Sequence, residues 1–220
     1  MVQDSKRRVR VKVCGITSKE DALLAVELGV DALGFIFAPS PRQITPEAAH
    51  EIIGAMPPFV KTVGVFVNES PVNIRRVIDS CGIDLIQLHG EEPPDLCSEF
   101  MPHTIKAFQL KDESSLSEIP SYQGRVRALL FDTYSKDKRG GTGKTFDWDL
   151  AVKGKELDTP IILSGGLTPS NITRAVSAVR PYAVDVNSGV EERPGIKSPV
   201  LMREMMEKIG KINNRGLSND

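Results

Sequence analysis

Residues 33–37 read Leu-Gly-Phe-Ile-Phe, and they lie in a run that stays apolar from Ala32 to Ala38. A strand with one face in water alternates apolar and polar residues, whereas a strand covered on both faces is apolar almost throughout. This stretch therefore predicts a strand buried on both faces of a parallel sheet.

Similar short runs, rich in β-branched residues, recur along the chain. They are Val9–Val13, Ala32–Ala38, Lys61–Val67, Leu85–His89, Thr104–Leu110, Ala128–Asp132, Pro160–Ser164 and Ala183–Asn187. They repeat about every 25 residues, which is typical of a strand–helix unit. Eight such units predict an α/β protein with a single-domain (β/α)8 fold, the TIM barrel. A doubly wound open sheet is the alternative, but it usually has fewer strands and carries a dinucleotide fingerprint after the first one, where none stands here.

Helical patterns separate the runs. Residues 74–81, 172–179 and 202–209 each place apolar side chains at the i, i+3, i+4, i+7 spacing of one buried stripe. Thr17-x-x-Glu20 has the pattern of a capping box, and Thr45-Pro46 places a capping hydroxyl before a proline at the first helical position. Both patterns predict helix starts.

No linker or break in composition divides the chain. We therefore expect a short N-terminal extension over residues 1–8, one barrel domain over 9–212 and a polar tail over 213–220. The two terminal segments are the ones expected to be dispensable.

Charge and composition exclude several classes of function. Lys and Arg number 28 and Asp and Glu 29, a net charge of −1, which provides no field for nucleic acid or an anionic membrane. No apolar run approaches the roughly 18–20 residues of a membrane span. The three cysteines, Cys14, Cys81 and Cys97, form no pairing pattern and fit a reducing compartment. We expect a cytoplasmic protein that binds neither nucleic acid nor membranes.

Small and polar residues stand directly after several of the predicted strands. In a barrel of this type the active site lies at the carboxyl ends of the strands, so these residues are the candidates for chemistry. They are Cys14, Arg42, His89, Asp132, Ser164-Gly165-Gly166 and Asn187-Ser188-Gly189.

The last two of these turns, at Gly165-Gly166 and Ser188-Gly189, follow the seventh and eighth strands. Such turns can present backbone N–H groups to an anion, and a helix predicted to begin near Thr168 adds its positive end. A single turn could use glycine only to reach positive φ. Two turns at the place where barrels bind phosphate favour a phosphate site.

The stretch Gly140-Gly-Thr-Gly-Lys-Thr145 contains the Gly-Lys-Thr of nucleotide-binding loops. A Walker A loop needs glycine at the position that Lys138 occupies, so that pattern fails. We expect instead a glycine-rich loop after the sixth strand, close enough to the phosphate site to cover a ligand.

Cys14 and Asp132 are predicted on opposite sides of the barrel mouth. A thiolate at Cys14 could remove a proton while the Asp132 carboxyl group protonates a leaving oxygen, a pairing that suits isomerisation. The thiol could also be a nucleophile, a metal ligand or a buried apolar side chain. The three histidines do not show ligand spacing with the cysteines, so no metal site is expected.

Arg42 follows Pro39-Ser-Pro41, a stiff segment that could aim its guanidinium at a carboxylate. A surface ion pair is the alternative. The spacing alone does not decide between the two.

Nine segments, in a fixed order from Val11 to about Lys197, carry a resemblance. They are Val11-Lys-Val-Cys-Gly-Ile-Thr17, Asp31–Phe37, Ser40-Pro-Arg42, Val63–Asn68, Gln87-Leu-His-Gly-Glu91, Phe131-Asp-Thr133, Gly140–Trp148, Leu163-Ser-Gly-Gly-Leu167 and Asp185–Glu191. As an ordered set they resemble the phosphoribosylanthranilate isomerase family of tryptophan biosynthesis. That resemblance implies a barrel that performs an Amadori rearrangement of N-(5-phosphoribosyl)anthranilate to 1-(2-carboxyphenylamino)-1-deoxyribulose 5-phosphate, without metal or cofactor.

The resemblance also implies roles for single residues. Asp132 would be the general acid that protonates the ribose ring oxygen, and Cys14 the general base that removes the C2 proton. Arg42 would hold the anthranilate carboxylate, Asp185 would orient the substrate near the scissile C–O bond, and His89 is a further candidate for substrate binding. The phosphate would be held by Gly141, Thr142, Gly143, Gly165, Gly166, Ser188 and Gly189.

Two other functions compete with this one. Phosphate-binding barrels such as indole-glycerol-phosphate synthase, or the histidine-pathway isomerase with an aminoimidazole substrate, typically rely on carboxylates or a lysine, so Cys14 with Asp132 argues against them. A catalytically silent barrel that binds a phosphorylated metabolite is the alternative from another class. The expected partner is a small phosphorylated molecule, and the chain is expected to be a monomer or a homodimer.

Overall fold

Eight parallel strands pair in chain order and close into a barrel. The structure, a computed structural model, describes residues 8–133, 148–154 and 158–215. The strands are β1 (Arg10–Val13), β2 (Ala32–Ile36), β3 (Lys61–Phe66), β4 (Leu85–Leu88), β5 (Thr104–Leu110), β6 (Ala128–Thr133), β7 (Ile161–Ser164) and β8 (Ala183–Val186). The ring closes where Arg10 of β1 lies opposite Ala183 of β8. The predicted (β/α)8 fold is confirmed, and every strand overlaps the run that predicted it.

Helices connect most of the strands. They are α1 (Lys19–Glu27), α2 (Pro46–Gly54), α3 (Pro71–Cys81), α4 (Pro94–Ser98), α5 (Trp148–Lys153), α6 (Ile172–Val179) and α7 (Pro199–Arg215). Two short 3-10 segments, Glu113–Leu116 and Ile119–Tyr122, stand between β5 and β6. An antiparallel hairpin of β9 (Glu191–Arg193) and β10 (Ile196–Lys197) follows β8. Within the described ranges, no helix is both long and apolar enough to cross a membrane.

The N-termini of several helices are capped by side chains. Thr45 caps α2 as predicted. The cap of α1 is Ser18, whose Oγ accepts a hydrogen bond from Asp21 N at 3.2 Å, so the capping box expected at Thr17 is wrong by one residue. Thr17 Oγ1 donates instead to the carbonyl oxygen of Gly195, a contact across 178 residues that no local pattern reveals.

The stretch that predicted the fold forms β2, which is packed on both of its faces. Leu33 and Phe35 are fully buried in the main apolar cluster. Between them Gly34 lies against β1, where a Cβ atom would stand 2.8 Å from Cys14 Sγ and 3.1 Å from Lys12 Cε. Cβ contacts under 3.0 Å are essentially never seen and contacts near 3.1 Å are tight, so the absence of a side chain at Gly34 makes room for Cys14 and Lys12.

The last helix, α7, continues to Arg215, three residues beyond the expected end of the barrel domain at residue 212. The side chain of Asn213 on this helix makes two hydrogen bonds to the backbone of Val9. Its Oδ1 accepts from Val9 N at 2.8 Å, and its Nδ2 donates to Val9 O at 3.2 Å. The end of α7 therefore holds the start of the barrel.

Candidate active site

A cavity of about 200 Å³ opens at the carboxyl ends of the strands. Eight of the predicted site residues line it: Cys14, His89, Asp132, Gly165, Gly166, Asp185, Ser188 and Gly189. Gly141, Thr142 and Gly143 lie outside the described residues. Arg42 lies beside the cavity, against Gly15, rather than in its lining.

Two larger grooves lie elsewhere on the molecule. One of about 370 Å³ runs between α2 and α3, and one of about 580 Å³ lies beside α5. Neither is lined by a predicted site residue that the structure describes. We assign the active site to the smaller cavity at the barrel mouth, because the acid and base candidates Asp132 and Cys14 line this cavity and neither of the larger grooves.

Cys14 stands directly after β1, and its backbone N–H donates to the Val186 carbonyl at 2.8 Å. This bond continues the pairing of β1 with β8 and fixes the backbone at Cys14. The side chain is buried, and burial raises the pKa of the thiol, because water no longer solvates the thiolate. The ammonium of Lys12 opposes this effect and lowers the pKa of Cys14, as does Lys197.

Lys12 is a site residue that the sequence did not reveal. Its Nζ lies 2.9 Å from Asp185 Oδ1, and its Cε lies beside Gly34, as does Cys14 Sγ. Burial alone would lower the pKa of Lys12, but the charges of Asp185 and Cys14 raise it above its usual value, so Lys12 stays an ammonium. The available signal was a lysine inside the apolar run Val9–Val13, where an inward-facing charge requires a buried partner.

Asp185, the partner of Lys12, lies at the floor of the cavity. Burial raises the pKa of its carboxyl group and the charge of Asp132 adds to the increase, whereas Lys12 opposes it. Two carboxyl groups and one ammonium therefore share this part of the cavity.

Asp132 extends from β6 into the opening of the cavity and is half-buried. Its Oδ2 lies 3.7 Å from His89 Nε2. The other ring nitrogen, His89 Nδ1, is 2.8 Å from the amide nitrogen of Gln87, which can only donate. With the Gln87 amide in this orientation, a neutral His89 carries its proton on Nε2, on the side of Asp132.

The two glycine turns pack directly on each other. Gly165 and Gly166 have φ values of 91° and 58°, which a residue with a side chain rarely adopts. A Cβ atom on Gly189 would overlap the carbonyl oxygen of Leu167, so the turn after β8 touches the turn after β7. Glycine thus allows positive φ in the first turn, as expected, and close approach of the two turns in the second.

The helix expected to begin near Thr168 begins later. α6 begins at Ile172 with Asn171 as its N-cap residue. The Asn171 side chain binds residues that precede the helix. Its Oδ1 accepts from Thr168 N at 2.9 Å, and its Nδ2 donates to Gly166 O at 2.9 Å. These bonds hold the turn after β7 in shape, and no propensity pattern distinguishes them from an ordinary helix start.

Arg42 makes the ion pair that was the alternative to a ligand contact. Its Nε lies 2.8 Å from Glu191 Oε1, and its Nη2 lies 2.7 Å from Glu191 Oε2. The pair sits at the edge of the barrel mouth, and hydrogen bonding to Glu191 raises the pKa of Arg42. Glu191 and its neighbour Lys197 were not among the predicted site residues.

Residues 11–208 match the family model described as N-(5'-phosphoribosyl)anthranilate (PRA) isomerase. The chain belongs to this isomerase family. A PRA isomerase from Geobacter sulfurreducens is 53% identical over 201 residues, which are 91% of this chain and 98% of the relative.

Solved structures of the PRA isomerase family agree with this assignment. One PRA isomerase in complex with reduced 1-(o-carboxyphenylamino)-1-deoxyribulose 5-phosphate is 41% identical, with a TM-score of 0.83 over 92% of this chain and 99% of the other. A structure of monomers generated from the dimeric enzyme of Thermotoga maritima is 40% identical, with a TM-score of 0.82 over the same shares of the two chains. The resemblance seen in the sequence is thereby confirmed.

Proposed function

We propose that the chain converts N-(5'-phosphoribosyl)anthranilate to 1-(o-carboxyphenylamino)-1-deoxyribulose 5-phosphate in tryptophan biosynthesis. Its membership of the PRA isomerase family supports the reaction. The observation that carries the mechanism is that Cys14 and Asp132 line the same cavity as the two glycine turns. An acid, a base and an anion cradle are what this rearrangement requires.

In the first step, Asp132 protonates the ring oxygen of the ribose. The bond from that oxygen to C1 breaks, and the nitrogen lone pair forms the C=N bond of an iminium ion. The position of Asp132 in the lining of the cavity, with His89 Nε2 3.7 Å from its Oδ2, supports this role. A hydrogen bond from His89 would hold the carboxyl group toward the substrate and stabilise its anionic form after proton transfer.

In the second step, the Cys14 thiolate removes the proton from C2. The electron pair of that C–H bond forms the C1=C2 bond of an enolamine, and the iminium nitrogen becomes neutral. The enolamine then loses the proton of its C2 hydroxyl and gains one at C1, which yields the ketone. A C–H bond beside an iminium ion needs only a moderate base, and the Lys12 ammonium next to Cys14 favours the thiolate.

Two anionic ends orient the substrate between these groups. We assign the phosphate to the backbone of Gly165, Gly166, Ser188 and Gly189, and the family resemblance adds residues 141–143. The contact between the turns after β7 and β8 supports this assignment. We assign the anthranilate carboxylate to Arg42, which lies beside Gly15 at the edge of the mouth.

The reaction is tested by incubating purified protein with freshly generated PRA and identifying the product by mass and NMR. The ketose is expected, with its C1 carrying two hydrogens. The histidine-pathway aminoaldose is run as a second substrate. Turnover of that compound without turnover of PRA would assign the chain to the competing reaction.

We further propose that the protein acts in the cytoplasm, as a monomer or homodimer, on this small phosphorylated substrate and without a metal or cofactor. The three cysteines are free thiols, which supports a reducing compartment. The dimeric relative from Thermotoga maritima supports the homodimer. Light scattering of the purified chain separates the two assembly states.

A further inference from the structure

The Glu191 carboxylate binds one edge of the Arg42 guanidinium. Nε and Nη2 of Arg42 donate to the two carboxylate oxygens at 2.8 and 2.7 Å, the side-on geometry of a bidentate pair. The Glu191 side chain is only 4% exposed, and that of Arg42 is 19% exposed. The pair is therefore ordered by its surroundings, unlike an ion pair between two mobile surface side chains.

Two further groups bind the Glu191 carboxylate. Lys197 Nζ lies 3.0 Å from Glu191 Oε1, and the backbone N–H of Gly195 donates to the same oxygen at 3.2 Å. Burial by itself would raise the pKa of Glu191, but the hydrogen bonds from Arg42 and Lys197 lower it below its usual value. Glu191 therefore remains a carboxylate over the whole physiological pH range.

The β9–β10 hairpin that carries Glu191 and Lys197 is anchored to the barrel at two points. The backbone N–H of Lys197 donates to Asp21 Oδ2 at 2.9 Å, and Thr17 Oγ1 donates to the Gly195 carbonyl. Both partners lie in or next to α1, which follows the strand that ends in Cys14. The hairpin thus has a fixed position relative to the proposed base.

The same network reaches the lining of the cavity. Lys197 Nζ also donates to Asn187 Oδ1 at 3.0 Å, and Asn187 lines the cavity next to Ser188. Gly15, with φ of 71°, lies between Asn187 and Arg42: a Cβ atom there would stand 2.8 Å from Asn187 Oδ1 and 2.8 Å from Arg42 Cδ. Arg42 is therefore set at a defined distance from the phosphate turn.

A guanidinium group offers two edges to carboxylates, one formed by Nε and Nη2 and one by the two Nη atoms. Glu191 occupies the first edge, and within the described part of the chain no carboxylate pairs with the second. Binding the first edge also fixes the plane of the group, so that the second edge points in one direction.

We propose that Glu191 is a positioning residue: it fixes Arg42 by the Nε edge so that the other edge receives the carboxylate of the substrate. Lys197 keeps Glu191 in place and couples it to Asn187 at the phosphate turn. The inference rests on the proposed function in one respect, the assignment of the anthranilate carboxylate to Arg42.

The test compares two stable ligands by calorimetry. One is reduced 1-(o-carboxyphenylamino)-1-deoxyribulose 5-phosphate, the compound bound in the related structure. The other is the same compound without the carboxyl group. Glu191→Gln keeps the shape of the side chain and removes its charge, and Glu99→Gln is the matched control, since Glu99 pairs with the exposed Arg75 at 2.9 Å.

Glu191→Gln is expected to weaken binding of the carboxylated ligand about tenfold, the weight of one charge-assisted contact, and to leave the other ligand unchanged. Glu99→Gln should change neither. Should Glu191→Gln not fold, Glu191→Asp takes its place, because it keeps the charge beside Lys197 while shortening the reach to Arg42. Equal weakening of both ligands would show a general structural role and overturn the proposal. Unchanged or tighter binding of the carboxylated ligand would also overturn it. Tighter binding would mean that Glu191 competes with the ligand carboxylate for Arg42 instead of positioning Arg42 for it.

Arg42→Ala separates this inference from the function on which it rests. It should weaken only the carboxylated ligand, by about a hundredfold, as expected for loss of a bidentate carboxylate contact. If Arg42→Ala affects both ligands equally, the assignment of the substrate carboxylate fails, whatever Glu191→Gln does. If Arg42→Ala is selective and Glu191→Gln is not, only the positioning role fails.

Discussion

Lys12 Nζ lies 2.9 Å from Asp185 Oδ1 at the floor of the cavity, and the two side chains are 4% and 5% exposed. The same ammonium lowers the pKa of the Cys14 thiol. A buried ion pair adds little stability, because desolvation offsets most of the attraction between the charges. Its place beside the proposed base favours a role in the chemistry.

Replacing Lys12 by Met should move the pH profile of the reaction to higher pH. The base form of Cys14 is the thiolate, so the rate rises as pH approaches the pKa of the thiol from below. Burial raises that pKa and Lys12 lowers it. Without Lys12 the pKa rises further, and a shift of one unit would reduce the thiolate fraction near neutral pH about tenfold.

The pH dependence of kcat and of Cys14 alkylation by iodoacetamide would both report this shift. Lys61→Met is the control, since Lys61 pairs with Asp84 on the exposed side of the barrel. Identical profiles for Lys12→Met and the parent protein would rule out any influence of Lys12 on the thiol.

A methyl group at Gly189 should damage the phosphate site specifically. The added Cβ would overlap the Leu167 carbonyl and push apart the turns after β7 and β8. KM for PRA, or the Kd of inorganic phosphate as a competitor, should increase by at least about tenfold, because backbone donors would leave their positions. Gly210→Ala is the control: Gly210 lies in α7 with open space around its Cα, and the substitution should stabilise the helix by about 1 kcal/mol.

Lys106 should be essential for stability. Its Nζ lies 2.9 Å from Glu92 Oε2 and 2.6 Å from the Gly90 carbonyl, and both charged side chains are buried. Glu92 in turn accepts from Asn68 N at 2.8 Å, so the pair fixes the segment after His89.

Lys106→Met leaves the Glu92 carboxylate buried without its counter-ion, which should lower the free energy of unfolding by about 3 to 5 kcal/mol. Denaturant unfolding measures it. Lys61→Met, which breaks an exposed pair, should cost less than about 1 kcal/mol. Equal costs would mean that Glu92 finds water or another partner.

The end of α7 should also contribute to stability. Asn213→Ala removes both side-chain bonds to Val9, and loss of two partly buried hydrogen bonds should cost about 1 to 3 kcal/mol. Lys211→Ala, which breaks an exposed pair with Glu207, should cost less than about 0.5 kcal/mol. A truncation after residue 212 with unchanged melting temperature would show that the Asn213 contact is unimportant.

The barrel was predictable because its signal is local and repeated. A stretch such as 33–37, apolar on both faces, is typical of parallel strands that are covered on both sides, and eight of them at one spacing indicate the barrel. The position of the site followed from the fold, since residues after strands must gather at one end of a parallel barrel. Eight predicted residues indeed line one cavity.

What the sequence could not reveal depends on contacts between distant residues. Thr17 resembles a helix cap but binds Gly195, and the end of α7 looks dispensable until Asn213 is seen against Val9. Lys12 finds its partner 173 residues away. Local patterns carry no information on such pairs, so the charged network around Cys14 became visible only in the folded chain.

The most direct test of the acid–base mechanism is the decay of anthranilate fluorescence when PRA meets the parent protein, Cys14→Ala, Asp132→Asn and the control Cys81→Ala. Cys81 is a buried thiol on α3, away from the cavity. The parent and Cys81→Ala should consume PRA rapidly, while the other two variants should be slower by at least about a hundredfold, the usual weight of a general acid or base. Full turnover by folded Cys14→Ala or Asp132→Asn would contradict the assignment of base or acid.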